Sequence, residues 1–168
     1  MSLSLPKKTR LVASLLAKKR RRLVLAESCT GGLLASLFTE IPGVSNVFCG
    51  SEVVYREASK RAWLGVRANT LGKRSAVSRE TVEEMVKGVL KRTPEADLAG
   101  AITGYLGPAG KHVGRVYLSV FARGDRAPTT LKLEIGKVRG TPIEARLARR
   151  EIAAGKLVET LLAVLRRS

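Results

Sequence analysis

Two short apolar runs, each ending in a glycine-containing loop, constrain this chain more than any other feature. Residues 97–103, Asp-Leu-Ala-Gly-Ala-Ile-Thr, are small and apolar without alternation, the pattern of a strand buried on both faces. Residues 23–26, Leu-Val-Leu-Ala, end at Glu27-Ser28 and pass through Gly31-Gly32 into a helical pattern over residues 33–40, which stops at Ile41-Pro42-Gly43. A strand covered on both faces needs a helical layer on each side, so such runs predict a parallel sheet between helices.

The remaining segments fit that expectation. Residues 47–55, rich in β-branched and aromatic side chains, read as a second strand, followed by a basic helix over residues 56–64. Ser78 is placed to cap a helix over residues 79–92, whose Val82, Met85, Val86, Val89 and Leu90 share one face. Residues 113–122 and 129–135 alternate across a turn at Gly124-Asp125, the pattern of an antiparallel hairpin. Thr141, Pro142 and Glu144 start a last helix with a capping box, and Ile143, Leu147, Ala154, Leu157, Leu161 and Leu165 are expected on its buried face. The fold class is therefore α/β, a three-layer α/β/α sandwich with one mixed, mostly parallel sheet, in a single domain over residues 1–168.

Charge is the strongest feature of the composition: 31 Lys and Arg against 14 Asp and Glu give a net charge of +17. Eight of those cations, Lys7, Lys8, Arg10, Lys18, Lys19, Arg20, Arg21 and Arg22, lie in the first 22 residues with no acid among them. Leu5, Leu11, Val12, Leu15 and Leu16 recur there at helical spacing, so residues 4–22 read as an amphipathic helix with a basic outer face. An anionic partner follows, yet nucleic acid is not favoured, because the seven aromatic residues are scattered rather than interleaved with the basic runs. No apolar run reaches the ~18 residues of a membrane span and no cleavable signal is read, so the cytoplasm is expected. Two cysteines, Cys29 and Cys49, and one histidine, His112, argue against a disulfide scaffold and a zinc site. The chain has no Gln and only two Asn, a depletion found in heat-adapted proteins and also produced by GC-rich coding.

Open α/β sheets place ligands past the carboxyl ends of their strands, which singles out residues 27–32 and 103–110. Ala26-Glu27-Ser28-Cys29-Thr30-Gly31-Gly32 sets a hydroxyl and a thiol beside two glycines, where backbone N–H groups near Thr30, Gly31 and Gly32 are placed to stabilise an oxyanion. With only His112, in a Gly/Lys loop, a Ser-His-Asp triad has a single, poor candidate, so a nucleophilic Ser28 needs Lys or Tyr as its base. Cys29 is expected to be a buried, inert thiol.

Taken in order, the stretch 26–32, Gly50, Tyr55-x-x-x-x-Lys60 leading into Leu64-Gly65-Val66, Ala76-Val77-Ser78, Ala101-Ile102-Thr103-Gly104 with Gly107-Pro108, and Val113-Gly114-x-Val116-Tyr117 resemble the CinA C-terminal domain family. The likeness runs from about Lys8 to Leu165. It implies an amidohydrolase that converts nicotinamide mononucleotide to nicotinic acid mononucleotide and ammonia, without cofactor or metal. It further implies Ser28 as nucleophile, Tyr55 and Lys60 as its activating and proton-transfer partners, and Thr103, Gly104 and Gly107 in a second substrate loop. The expected partners are that mononucleotide and further copies of the chain, with no membrane. The sequence departs from the family at residues 105–110, Tyr-Leu-Gly-Pro-Ala-Gly for Ile-x-Gly-Pro-Gly-Gly, and at Gly140-Thr141-Pro142 for Gly-Asp-Arg. The cation expected near the substrate phosphate then falls to Arg139 or Arg146, and Arg146 is the choice.

Overall fold

The computed structural model describes residues 3–167. In chain order the elements are α1 (Leu5–Lys19), β1 (Leu23–Glu27), α2 (Leu33–Thr39), β2 (Phe48–Val53), α3 (Glu57–Leu64), α4 (Ala68–Arg74), α5 (Arg79–Arg92), β3 (Leu98–Gly104), β4 (Arg115–Ala122), β5 (Thr129–Glu134) and α6 (Pro142–Arg167). The strands form one open sheet in the order β2-β1-β3-β4-β5. β1 pairs in parallel with β2 and β3, whereas β3–β4 and β4–β5 are antiparallel.

Period-two alternation divides the strand side chains between two cores. Leu23 and Leu25 of β1, with Leu98 and Ile102 of β3, face a core closed by α1, α2 and α6. Val24, Ala26, Ala99 and Ala101 face the opposite core, closed by α3, α4 and α5. Every residue of β1 is buried, as is β3 up to its last residue, which is why both read as unbroken apolar runs. This is the expected α/β/α sandwich. None of the helices among the described residues is long and apolar enough to cross a membrane.

The helix starts form where the sequence places them. The Ser78 side chain accepts the Thr81 amide at 3.1 Å. Thr141 and Glu144 make a reciprocal capping box, with Thr141 N donating to Glu144 at 2.7 Å and Glu144 N donating to Thr141 Oγ1 at 3.3 Å. The basic N-terminal helix lies against α6, where Lys8 Nζ donates to Glu159 at 2.6 Å.

Two expectations need correction. The inward face of α6 is not the one read from Ile143 and Leu147, which are 71% and 43% exposed; Ala145, Arg149, Ala153 and Leu157 turn inward instead. The first turns of α6 run over the loops at the strand ends, so packing rather than hydrophobicity chooses their buried side. Helix α4 is absent from the sequence reading because Asn69, Thr70 and Gly72 are weak helix formers. It is held from outside: Glu84 of α5 accepts the Arg67 amide at 2.8 Å and the Thr70 hydroxyl at 2.7 Å.

Leu157 is fully buried on the α6 side of the sheet. Leu157→Ala is expected to reduce unfolding free energy by about 2–5 kcal/mol, read as a lower midpoint in urea at unchanged slope.

Candidate active site

β1 leads to β2 on one side, while its other neighbour, β3, is reached by a crossover through α3, α4 and α5 on the opposite face. The carboxyl ends of β1 and β3 thus flank the topological switch point, where such sheets open a crevice. Ser28, the first residue after β1, is tied across that crevice by its amide, which donates to Ile102 O at 3.1 Å.

Lys60 projects into the same place from α3. Its side chain is 1% exposed, and Nζ lies 3.0 Å from Ser28 Oγ, 2.7 Å from Val54 O and 3.3 Å from Tyr55 O. Among the described residues no carboxylate pairs with it. Burial holds its pKa down at about 8 from an ordinary 10.5, opposed in part by the Cys29 thiol and Glu57. A neutral amine has two N–H bonds and one lone pair. Charged, Nζ donates to all three oxygens; once neutral, it can keep its two N–H groups on the carbonyls of Val54 and Tyr55 and turn its lone pair to the Ser28 hydroxyl, the arrangement of a base beside its nucleophile. Cys29 is also buried, and burial pushes its thiol up to about 12, far from a thiolate at neutral pH.

The loop between Ser28 and α2 depends on Glu27, which is fully buried. Its carboxylate accepts the amides of Gly32 and Leu34 at 3.1 Å and of Ala35 at 2.9 Å, and the Ser51 hydroxyl at 3.1 Å. Gly31 and Gly32 take φ of 62° and 94°, and this left-handed pair turns the chain back so that α2 starts over Glu27. The oxyanion site expected near Thr30, Gly31 and Gly32 is narrowed accordingly. The Gly31 amide donates to Ser28 O and the Gly32 amide to Glu27, whereas the Cys29 amide faces only its own thiol and the Thr30 amide has no acceptor among the described residues. The Thr30 hydroxyl is buried and has no partner among the described residues.

The second loop is fixed around the crevice. Thr103 is 1% exposed and donates to Ala76 O at 2.9 Å, pinning the end of β3 to the segment before α5. Gly104 completes β3, where an added Cβ would lie 2.7 Å from the Val116 side chain. Arg146 bridges the two loops: one guanidinium nitrogen donates to Gly107 O and another to Tyr55 Oη at 3.1 Å. Arg139 is exposed and stands apart from these contacts. Tyr55 is 59% exposed, and its hydroxyl is engaged by Arg146; only its carbonyl meets Lys60, so direct activation of Ser28 by the phenol is not the geometry observed.

Two residues of the site escaped the sequence reading. Glu27 caps a helix that starts six residues later, a spacing outside the capping box, and only its place in the quoted motif marked it. Arg149 is 8% exposed, donates to Leu106 O at 3.1 Å and leaves Nε without a partner among the described residues; one arginine in a basic helix gives no signal of burial. No three His, Cys, Asp or Glu among the described residues are grouped to hold a metal.

Glu27→Gln keeps shape but presents an NH₂ group to amide donors, and is expected to lower stability by about 2–3 kcal/mol in chemical unfolding. Lys60 lowers its pKa on folding, so between about 8 and 10.5 the unfolded chain holds more protons than the folded one. Stability is therefore expected to rise through that window relative to Lys60→Met, by about 2 kcal/mol once screening by water in the cleft is allowed for.

Comparison with known proteins places this chain in a family. The family profile of the CinA C-terminal domain matches residues 6–151. A CinA-like protein of Thermotoga neapolitana is 46% identical over 114 residues, which cover 66% of this chain and 28% of that protein. One from Kosmotoga olearia is 42% identical over 127 residues, 73% of this chain and 31% of that protein. The chain thus spans less than a third of the length of these relatives. Among solved structures, the competence/damage inducible protein CihA from Agrobacterium tumefaciens superposes with a TM-score of 0.87 at 34% identity, covering 97% of this chain and 98% of that one. A CinA superfamily protein from Escherichia coli gives 0.87 at 26% identity over 98% and 94%. With a profile spanning nearly the whole chain and relatives of this similarity, the protein belongs to the CinA C-terminal domain family.

Proposed function

We propose that this chain hydrolyses the carboxamide of nicotinamide mononucleotide to nicotinic acid mononucleotide and ammonia, with Ser28 as nucleophile and Lys60 as proton shuttle. The observation that carries the reading is the buried Lys60 Nζ at 3.0 Å from Ser28 Oγ, with its remaining hydrogens directed at two carbonyls. The family resemblance supplies the substrate.

Neutral Lys60 takes the Ser28 proton as Oγ bonds to the carboxamide carbon, and the carbonyl π electrons move onto oxygen. The amides of Cys29 and Thr30, neither tied to another residue among those described, are the donors for that oxyanion, each worth roughly 3–4 kcal/mol in comparable sites. As the oxyanion collapses the C–N bond breaks, and Lys60 returns its proton to the departing nitrogen, releasing ammonia and leaving an ester on Ser28. Lys60, neutral again, takes a proton from an attacking water; the second collapse releases the carboxylic acid and restores Ser28 Oγ–H. Arg146 stands at the mouth between Tyr55 and Gly107, with guanidinium hydrogens left for a phosphate oxygen. The Tyr55 ring, fixed by the same guanidinium, is placed to flank the substrate rather than to move its proton. The expected assembly into homo-oligomers finds its support in Ile143 and Leu147, apolar and exposed on α6 beside Arg146.

Ammonia release from nicotinamide mononucleotide is the test. Ser28→Ala and Lys60→Ala are expected to lose at least ~10³-fold in kcat/KM, while Cys29→Ala stays within about threefold of the parent. Robust turnover by Ser28→Ala rejects the assignment. Because Lys60 must be neutral to accept a proton, kcat/KM is expected to rise with pH and level off above about 8.

A further inference from the structure

A second concave surface lies outside the Ser28 cleft, between the end of α3 and the outer side of α5, and encloses about 550 Å³. It exists because α3 comes down on α5 at Gly88, where a Cβ would stand 2.0 Å from Leu64 O. That close approach sets Trp63, next to Leu64, alongside Lys87 and Lys91, which are one helical turn apart, about 6 Å along α5.

The charges lining this groove differ in kind. Arg67 is neutralised by Glu84 at 2.5 Å and Arg92 by Glu52 at 3.4 Å. Lys87 and Lys91 are exposed and make no ion pair or hydrogen bond among the described residues. Trp63, the one tryptophan in the chain, is 49% exposed and lines the same groove. An exposed indole beside two uncompensated cations matches a ligand that carries flat bases and negative charge together. The sequence scatters its aromatic and basic residues; the crossing of α3 and α5 collects them. A bilayer is the poorer fit, because Trp63 lines a depression rather than capping a protrusion.

We propose that the α3–α5 groove binds single-stranded nucleic acid, with a base stacked on Trp63 and the phosphodiester backbone following Lys87 and Lys91. The site is independent of amide hydrolysis, since none of its residues takes part in the Ser28 cleft.

The test is binding of a fluorescein-labelled oligodeoxythymidylate of about twelve nucleotides, followed by anisotropy across a salt series, with quenching of Trp63 fluorescence read on the parent chain. Binding with Trp63 quenching is expected. Trp63→Ala should weaken it about 10-fold or more. Lys87→Glu with Lys91→Glu should do the same and flatten the slope of log K against log salt by about 1.4, the contribution of two phosphates in a single strand. Unchanged binding by that double variant overturns the proposal. So does an equal loss in Lys7→Glu with Arg10→Glu, which would make bulk charge the cause. Thymidine monophosphate binding as tightly as the oligomer, or tighter capture by phosphatidylserine vesicles than by the strand, also overturns it. Circular dichroism on each variant keeps loss of fold distinct from loss of binding.

Discussion

Removing the Lys60 ammonium group from water is the constraint on which the rest of the site depends. A lysine that is 1% exposed, with no carboxylate among the described residues to pair it, destabilises its own charge and hence the folded state at neutral pH. The same penalty brings its pKa to about 8, where a large share of the molecules hold a free lone pair. An exposed lysine would be charged and useless as a base at neutral pH, and a paired one would be held charged. The carbonyls of Val54 and Tyr55, just past the end of β2, satisfy the amine in either state and direct it at Ser28.

That aim is only as good as the backbone around it. Ser28 is fixed because β1 is hydrogen-bonded on both sides and because its own amide reaches β3. Glu27 holds the turn that follows, gathering three amides and a hydroxyl on one buried carboxylate. It occupies the Gly32 amide, while Ser28 O takes that of Gly31, so neither glycine N–H points freely into the cleft. Arg146 closes the arrangement from the far side, joining the Tyr55 and Gly107 segments. The cation that the family pattern places before α6 is missing from the sequence at Gly140-Thr141-Pro142, and Arg146 reaches the cleft from one turn inside the helix instead.

The layer order and both loops were legible in the sequence because burial on two faces writes itself as unbroken apolar runs, in β1 and β3 alike. Helix starts were legible where a single side chain caps its own backbone, as at Ser78 and Thr141. What failed to show were features created by distant partners. Helix α4 owes its existence to Glu84, and the inward turn of Arg149 to the Leu106 carbonyl. The family resemblance implies Tyr55 and Lys60 as one catalytic pair. The structure divides them, since β2 ends before residue 55 and sends the phenol outward, while Lys60 lies one turn into α3 and faces in. The +17 charge pointed at an anionic partner without locating a site; packing of α3 on α5 locates one, away from the basic N-terminal helix that carries nearly half of it.

The central claim is that the Lys60 amine is neutral over a useful part of the range around pH 8. It is tested most directly by NMR titration of the lysine side-chain nitrogens in protein labelled with ¹⁵N-lysine, with the Lys60 resonance assigned through Lys60→Arg. A single lysine titrating near pH 8 is expected, while the exposed lysines titrate near ~10.4. A Lys60 resonance that stays protonated to pH 10 would contradict it.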